Sequence, residues 1–238
     1  MHKLIQNNKF SWRFHSVTGQ DRACNKDVFT LIIRDKITLI IAFDISTSSP
    51  AQPEMAAFFS KILSKEIDSL TTYSSKIIHD CIQLAFKQTK KQYRIGKASI
   101  LIFAKFEQAL FCFHAGDVRL GIYNKNEAIY WITNVHTGAN PFGEFFNNQM
   151  LQDERRKIVT RNFNLQRNLI LDCLENIELF EGQIVIASDG FWAECTHEQQ
   201  QSVLSGDSCL VKDDMTLLVF EWNRDNKLPN NVDNLTLL

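Results

Sequence analysis

Four aspartates at the ends of apolar runs, far apart along the chain, are the residues whose type and position could do chemistry. They are Asp27, Asp44, Asp189 and Asp213. An apolar strand that ends in a carboxylate places a hard oxygen ligand at the rim of a sheet. Four such rims meeting at one place would hold Mg²⁺ or Mn²⁺, which prefer carboxylate and water oxygens. A pair of these ions activates water for phosphoryl chemistry.

Each aspartate also has a simpler explanation, because Asp is common in the turns where strands end. Taken singly, each position favours that explanation, whereas the ordered set of four favours a metal site. Gly190 directly follows Asp189. We expect it to adopt a backbone conformation that glycine reaches most easily.

The composition suits one globular domain of generous size, or at most two small ones. The chain has 238 residues, of which 45% are hydrophobic, and a net charge of −1. This charge gives no basic field for nucleic acid or an anionic membrane. The first residues lack an apolar core of signal-peptide length, and the longest apolar stretch, residues 39–43, is too short to span a bilayer. We expect a cytoplasmic monomer, with a single domain over residues 1–222 and a loose polar tail over 223–238.

The cysteines point to a reducing compartment. They show no Cys-x-x-Cys spacing, and most lie inside apolar runs, as reduced core thiols do; they are Cys24, Cys81, Cys112, Cys173, Cys195 and Cys209. A secreted scaffold held by disulfides would usually be much shorter. We therefore expect no disulfide framework and no structural zinc.

The elements that must position the aspartates come in blocks. Strands are predicted at residues 10–17, 28–33 and 36–43, with Arg34-Asp35 as a tight hairpin between the last two. Two helices follow. The first enters at 49–53 and carries apolar residues at helical spacing to Leu70, and the second covers 74–93 and is stopped by Gly96.

The second half is predicted to be mostly strands. Four strands at residues 99–106, 109–114, 119–123 and 128–133 suggest an antiparallel meander, and their phenylalanines are expected in the core. The polar stretch 135–157 is expected to be a functional or mobile loop. Further elements are predicted at residues 168–174, 183–187, 196–204 (a helix) and 216–222. This order favours α+β layers around one core.

Five short motifs follow one another along the chain. They are Arg22-x-x-Asn25-x-Asp27, the strand ending in Asp44, Gly116-Asp117-Val118-Arg119, Ser188-Asp189-Gly190, and Asp213-Asp214-Met215-Thr216. In this order they resemble the motifs of the type-2C metal-dependent protein phosphatases, the PPM family of Ser/Thr phosphatases. The turn from Thr133 to His136 is loosely similar to the family's T-x-D-H-S turn. Each motif is weak alone, but five in the expected order over residues 10–222 are specific.

The resemblance implies a four-layer α-β-β-α sandwich, with two antiparallel sheets flanked by helix pairs. It also implies the roles of the carboxylates. Asp44 would bridge two metal ions, and Asp189 and Asp213 would ligate one of them. Asp27 would hold a metal-bound water, and Asp117 together with Asp189 could hold a third, weaker ion.

The implied reaction is hydrolysis of phosphoserine and phosphothreonine in proteins, with Mn²⁺ or Mg²⁺ as the cofactor. Arg22 would bind the substrate phosphate, because a guanidinium fork fits phosphate oxygens. A general acid must protonate the leaving oxygen. His15, His114, His136 and metal-bound water are open candidates. Bacterial members of the family typically oppose a Ser/Thr kinase, so such a kinase is an expected partner.

Three departures from the family pattern affect the metal site. Ile45 stands where the family has a glycine whose carbonyl binds a metal; Ile45 can supply the same carbonyl, but a β-branched residue would be strained at positive φ. Ala193 replaces an aspartate that would support a third ion. Asp214 replaces an asparagine and adds negative charge that would compensate a little.

Two alternatives to the enzyme follow from the sequence. Ile45, and the absence of the glycines that follow this aspartate in the family, suggest a pseudo-phosphatase that binds a phosphoprotein or a kinase without turnover. A two-metal nuclease or phosphodiesterase is disfavoured, because the near-neutral chain offers no basic groove for nucleic acid.

Overall fold

The computed structural model describes residues 10–47, 49–50, 53–106, 109–125, 127–177, 182–222 and 234–238. The helices are α1 (Pro53–Asp68), α2 (Ser75–Gln92), α3 (Asn148–Gln152), α4 (Asp189–Trp192) and α5 (His197–Ser205), with a 3₁₀ turn at Glu154–Lys157. The strands are β1 (Phe10–Val17), β2 (Val28–Ile33), β3 (Ile37–Ile45), β4 (Lys97–Phe106), β5 (Ala109–Ala115), β6 (Arg119–Tyr123), β7 (Tyr130–Trp131), β8 (Phe163–Asn164), β9 (Asp172–Glu175), β10 (Gln183–Ala187), β11 (Met215–Trp222) and β12 (Leu235–Leu237).

The described strands form two sheets. The first, here called the β1 sheet, has the order β1-β11-β10-β6-β7. The second, the β2 sheet, has the order β12-β2-β3-β4-β5-β9, with β8 beside one end of β4. The pairings between these strands are antiparallel, except that β12 runs parallel to β2. The predicted pair of antiparallel sheets is confirmed.

The alternation of side chains along β3 explains two of the layers. Leu39, Ile41 and Phe43 lie on one face, in the same buried cluster as the apolar residues of α1 and α2. Ile40 and Ala42 lie on the other face, in the cluster that joins the two sheets. Both faces of this strand are therefore covered, as its continuous apolar sequence predicts.

Strand β11 shows the same division in the other sheet. Leu218 and Phe220 face the β2 sheet. Leu217 and Val219 face outward and pack with residues of α4 and α5. The order of layers is therefore helices, β2 sheet, β1 sheet, helices, and the predicted α-β-β-α sandwich is confirmed.

The predicted helices and strands keep their order, with small shifts at their ends. Ser74 caps α2 by accepting a hydrogen bond from the Ile77 N–H. That helix ends before Tyr93 rather than at Gly96, because the Tyr93 backbone turns extended. Phe163 packs edge-to-face on rings from β3, α1 and α2, which closes the outer core.

The predicted single meander from residue 99 to 133 is wrong. Strands β4 and β5 pair in the β2 sheet, whereas β6 and β7 pair in the β1 sheet. Residues 116–118 carry the chain from one sheet to the other. Alternating polarity reports which face of a strand is buried but not which sheet the strand joins, so the crossing was not visible in the sequence.

Two predicted irregular segments are partly ordered. The stretch 135–157 contains α3 and the 3₁₀ turn, both capped by side chains, from Asn147 and Asp153 respectively. The predicted loose tail is wrong for residues 235–237, which form β12 beside β2, and the Asn234 carbonyl accepts from the Phe29 N–H at 2.7 Å. Residues 223–233 of the tail lie outside the described residues.

Within the described ranges, none of the helices combines the length and the apolar character needed to cross a membrane. The six cysteines are free thiols, and Cys81, Cys112, Cys195 and Cys209 are buried, as expected for core thiols. Three of the four phenylalanines of β4 and β5 are also buried in the core, as predicted.

Candidate active site

The carboxylates predicted from the sequence meet at one edge of the sandwich. In the β2 sheet, Asp27 precedes β2, Asp44 lies near the end of β3, and Asp117 follows β5. In the β1 sheet, Asp189 follows β10 and Asp213 precedes β11; since these two strands are antiparallel, those positions share an edge. The five side chains are close enough to interact electrostatically, because the charges of the other four each help to raise the pKa of Asp44.

Burial and mutual repulsion disfavour the ionised form of this group. Burial is the larger cause at Asp44 and Asp189, and it holds both pKa values well above the ordinary range, with the neighbouring carboxylates adding to the shift. Burial also raises the pKa of Asp117. Like charges gathered out of water need either protons or cations between them.

Asp27 connects the two sheets. It is only 1% exposed, and its Oδ2 accepts a hydrogen bond from Ser188 Oγ at 2.7 Å. The Ser188 hydroxyl accepts in turn from the N–H of Thr216, which lies on β11 of the β1 sheet. Asn25 positions the backbone, because its Oδ1 accepts from the Asp27 N–H at 2.8 Å. Burial raises the pKa of Asp27 to about 7, against the opposing hydrogen bond from Ser188.

Arg22 holds Asp213 with a two-pronged ion pair. Its Nε lies 2.7 Å from Asp213 Oδ1 and its Nη2 lies 2.6 Å from Oδ2. Glu194 fixes the backbone that carries Asp213, because its Oε2 accepts from the N–H groups of Lys212 and Asp213. A phosphate would therefore be met by the guanidinium N–H groups that do not face Asp213.

Asp214 holds the backbone of the loop that carries Arg22, and its charge adds to burial in raising the pKa of Asp27. Its Oδ1 accepts from the Gly19 N–H at 3.1 Å and its Oδ2 accepts from the Lys26 N–H at 2.9 Å. Both oxygens are therefore occupied in holding the two ends of the loop that carries Arg22. Burial raises the pKa of this carboxyl group. That its charge compensates at the metal site stays a prediction.

Gly190 is required for close packing and not for an unusual backbone shape, so that expectation is wrong. It is not among the glycines with positive φ. A Cβ at this position would lie 2.2 Å from the Asp214 carbonyl oxygen. The Ser188-Asp189-Gly190 turn thus lies directly against the Asp213-Asp214 segment, which brings Asp189 and Asp213 together.

Gly190→Ala is therefore expected to destabilise the fold by about 3 kcal/mol or more, because backbone must move to admit the methyl group. Gly143→Ala is the control, since its Cβ would meet nothing within 4 Å. At its positive φ the control should cost about 1 kcal/mol. Urea unfolding of both variants measures the difference, and equal losses would show that the contact at Gly190 relaxes easily.

Asp117 is fixed by the chain crossing between the sheets. Ser99 Oγ lies 2.5 Å from Asp117 Oδ1 and also accepts from the Asp117 N–H. Gly116 has φ of +113°, and a Cβ there would lie 2.2 Å from Ser99 Oγ, so this turn needs glycine. The Trp192 ring N–H donates to the Asp117 carbonyl at 2.8 Å, which joins the turn to α4.

Arg156 is a site residue that the sequence reading missed. It lies in the 3₁₀ turn, its side chain is 13% exposed, and its Nη1 lies 3.7 Å from Asp189 Oδ2. Its positive charge also counteracts the raised pKa of Asp117. At 3.7 Å the contact with Asp189 is an ion pair without a hydrogen bond. The basic run Arg155-Arg156-Lys157 inside an otherwise polar stretch was the available signal.

Ile45 continues β3 and pairs with Ala98. Among the described non-glycine residues, positive φ occurs at Asn176 and Asn234, so Ile45 carries no such strain. Its side chain is buried in the outer core. That its carbonyl ligates a metal stays a prediction.

The histidines named as acid candidates differ in their fitness for that role. Burial lowers the pKa of His114 to about 3, so this ring is neutral at physiological pH. His136 has both ring nitrogens engaged, with the Gly116 N–H at 3.1 Å and Asp172 at 2.8 Å. Neither is suited to protonate a leaving oxygen. Burial also lowers the pKa of His15.

In the part of the chain that the structure describes, no three His, Cys, Asp or Glu side chains are grouped as they would be around a metal ion. The chemistry of the donor set nevertheless fits a hard divalent cation. The converging ligands are carboxylate oxygens, which such ions prefer, and burial together with the neighbouring carboxylates raises the pKa values of Asp44 and Asp189.

Solved structures of bacterial phosphatases share this fold. A bacterial serine phosphatase superposes with a TM-score of 0.71 at 16% identity, over 92% of this chain and 100% of that one. Stp1, a serine/threonine phosphatase from Staphylococcus aureus, gives 0.72 at 16% identity, over 92% and 98%. MsPP, a PPM Ser-Thr phosphatase from Mycobacterium smegmatis in complex with cacodylate, gives 0.70 at 16% identity, over 90% and 98%. No protein-family model and no curated protein matches the sequence.

Proposed function

We propose that this chain, which has the fold of the bacterial PPM-type serine/threonine phosphatases, is itself a protein phosphatase that hydrolyses phosphoserine and phosphothreonine with Mn²⁺ or Mg²⁺. The observation that carries the proposal is the convergence of buried and partly buried carboxylates from both sheets at one edge of the sandwich, with Arg22 and Arg156 beside them. Carboxylates suit hard divalent ions, and guanidinium groups suit phosphate oxygens.

Within this proposal, Asp44, Asp189 and Asp213 would hold the two metal ions, and Asp117 would help to hold a weaker third. When bound, the ions supply an activated water and positive charge for the phosphate. Asp213 orients Arg22, whose remaining N–H groups would bind phosphate oxygens. Asp27, with a pKa of about 7, can hold a proton near neutral pH.

The substrates would be phosphorylated proteins, and a Ser/Thr kinase that makes them is the expected partner. That partner rests on analogy with bacterial proteins of the same fold. The fold leaves the identity of the substrate protein open, because specificity depends on side chains around the site.

The direct test is hydrolysis of a small aryl phosphate and of a phosphothreonine peptide with Mn²⁺, with EDTA as the control. Turnover of both that EDTA stops would support the proposal. No turnover between pH 6 and 9 by a protein that binds Mn²⁺ in calorimetry would contradict it.

Arg156→Gln is expected to lower kcat/KM for the phosphothreonine peptide by roughly 10-fold or more, since one charge-assisted contact to phosphate is lost. Arg155→Gln is the matched control, because its side chain is 68% exposed and pairs with Asp153 instead. Steady-state kinetics on both variants measures the effect. Equal kinetics in the two variants would remove Arg156 from the site.

A specific observation also favours a second candidate, a pseudo-phosphatase that binds phosphoproteins or a kinase without turnover. Arginines lie against two of the metal-ligand carboxylates, Arg22 on Asp213 and Arg156 on Asp189. Such pairs neutralise part of the charge that a metal would otherwise neutralise. Calorimetry with Mn²⁺ separates the two candidates, because an enzyme should show two sites of ordinary affinity and a pseudo-phosphatase should not.

A further inference from the structure

A buried histidine joins the Asp117 turn to the segment that carries Arg156. His136 is 3% exposed. Its backbone N–H donates to the Gly116 carbonyl at 2.9 Å, and its Nδ1 accepts from the Gly116 N–H at 3.1 Å. The His136 carbonyl accepts from the Thr160 N–H at 2.9 Å. His136 thus binds both the carbonyl and the N–H of Gly116, and it also binds the chain that follows the 3₁₀ turn.

These contacts determine which nitrogen of the ring carries the proton. A backbone N–H can only donate, so Nδ1 must be the unprotonated acceptor. The proton is then on Nε2, which donates to Asp172 Oδ2 at 2.8 Å. The other oxygen of Asp172 pairs with Arg161. This arrangement follows a common rule, in which a carboxylate on one nitrogen sets the tautomer and the orientation of the ring.

The ring is also held from its flat side. His114 stacks on His136 with ring centroids 5.0 Å apart and planes 17° apart. Burial raises the pKa of Asp172, but the hydrogen bond from His136 and the charge of Arg161 outweigh it and lower the pKa overall. Asp172 is therefore ionised and remains an acceptor for Nε2–H at neutral pH. The ring has little freedom to rotate.

The same segment is tied down on the side of Arg156. Thr137 pairs with Val159 as an isolated bridge, and the Gly138 N–H donates to the Ile158 carbonyl at 2.8 Å. Gly138 lies so close to this stretch that a Cβ there would be 2.9 Å from the Arg155 carbonyl. Displacement of His136 would therefore shift the position of Arg156 as well as that of Asp117.

We propose that His136 is a positioning residue, which sets Asp117 and Arg156 relative to each other across the carboxylate cluster. The inference rests on the proposed phosphatase function, because only there do these two side chains act on the same phosphate and its ions. An apolar ring of similar size would fill the same space, but it would leave the Gly116 N–H and Asp172 without their partner. The acceptor at Nδ1 is the atom that matters most, since it contacts the turn beside Asp117.

Two substitutions separate the two ring nitrogens. His136→Asn places an amide oxygen near the position of Nδ1, and His136→Gln places an amide nitrogen near that of Nε2. Loss of a partner that orients a ligand typically costs about 10-fold to 100-fold. We expect His136→Gln to lose kcat for the phosphothreonine peptide and Mn²⁺ affinity to that extent, and His136→Asn to stay within about 3-fold of the parent protein, well short of such a loss.

Amide exchange at Gly116 gives a readout that does not depend on activity. The Gly116 N–H should remain protected in His136→Asn and should exchange faster in His136→Gln, by about 10-fold or more, as the lost hydrogen bond predicts. His197→Asn is the matched control, since His197 is exposed on α5 and should change neither measurement. Thermal melting of every variant tests that each is folded.

The outcomes distinguish this inference from the proposed function. Equal exchange at Gly116 and equal Mn²⁺ affinity in the Asn and Gln variants would overturn the positioning role, whether or not the protein turns over phosphate. If the parent protein shows no hydrolysis but the Gln variant alone loses Mn²⁺ affinity and Gly116 protection, the phosphatase proposal fails and the positioning of the carboxylates stands. Should His136→Gln fail to fold, His136→Phe also removes the acceptor for the Gly116 N–H, with the same loss expected and with unchanged Mn²⁺ affinity and Gly116 exchange overturning the role.

Discussion

Replacement of Asp44 by Asn should abolish Mn²⁺-dependent hydrolysis, with a fall in kcat of roughly 1,000-fold, because the central ligand of the metal site loses its charge. The same change should stabilise the metal-free protein by about 1 kcal/mol, since it removes one charge from a group of repelling carboxylates. Few substitutions would inactivate an enzyme and stabilise its fold at once. The pairing of the two effects is therefore the signature of this site.

Steady-state kinetics and urea unfolding in EDTA measure the two parts. Asp80→Asn is the matched control, because Asp80 is exposed on α2 and its side chain pairs, at 4.0 Å, with His79 rather than with a residue of the site. The control should alter neither quantity. Unchanged hydrolysis in Asp44→Asn would remove this residue from the metal site, and a loss of stability in EDTA would show that its charge is compensated within the fold.

The second large effect is a dependence of stability on pH and metal. Asp27 has a folded pKa of about 7 against an ordinary value of 3.8, and the pKa values of Asp44 and Asp189 shift in the same direction. The folded state therefore holds more protons than the unfolded state, so stability falls as the pH rises through about 7. His114 and His136 have lowered pKa values, so they cost stability only below about 6.5. For Asp27 most of this loss lies below pH 8, and the thiols, with an ordinary pKa of 9.0, titrate higher, so the carboxylates should set most of the slope between about pH 6.5 and 8.

Divalent ions should reverse this loss, because they replace the protons that the carboxylates release. Saturation of one site at 100 times its dissociation constant adds about 2.7 kcal/mol, which corresponds to a rise in Tm of roughly 5–10 °C for a domain of this size. Thermal melting at pH 6.5 and 8, with EDTA and with Mn²⁺, measures both effects. A flat pH profile in EDTA, or a Tm that Mn²⁺ leaves unchanged, would contradict the prediction.

The sequence predicts the elements well because each apolar run has its own local pattern. Strands β6 and β10 begin and end where predicted. The positions of Asp44 and Asp189 at the edge of the sheets follow from the predicted ends of the strands that carry or precede them. The layers also follow, since β3 is apolar on both faces. What the pattern does not contain is the partner of each strand, and for that reason the crossing at Gly116 was read as a meander.

The parts of the site that the sequence did not show depend on contacts between distant segments. Arg156 reaches Asp189 from another part of the chain, and its basic neighbours look like any solvated run. The sequence offers His136 as an acid candidate, but both of its ring nitrogens are engaged in the folded protein, one by the Gly116 N–H and the other by Asp172. The sequence shows the charge of Asp214 but not its two backbone partners, Gly19 and Lys26, because these contacts exist only once the loop is folded.

The division of the carboxylates between two sheets has a consequence for how this protein could change over time. Asp44 belongs to one sheet and Asp189 to the other, so the distance between them is set by the apolar interface that includes the Phe103–Phe220 ring pair, with centroids 5.6 Å apart. A conservative change in that interface would slide one sheet on the other and spread the carboxylates, while leaving a folded molecule. Lineages of this domain could therefore lose or retune catalysis through the core, with every residue of the site unaltered.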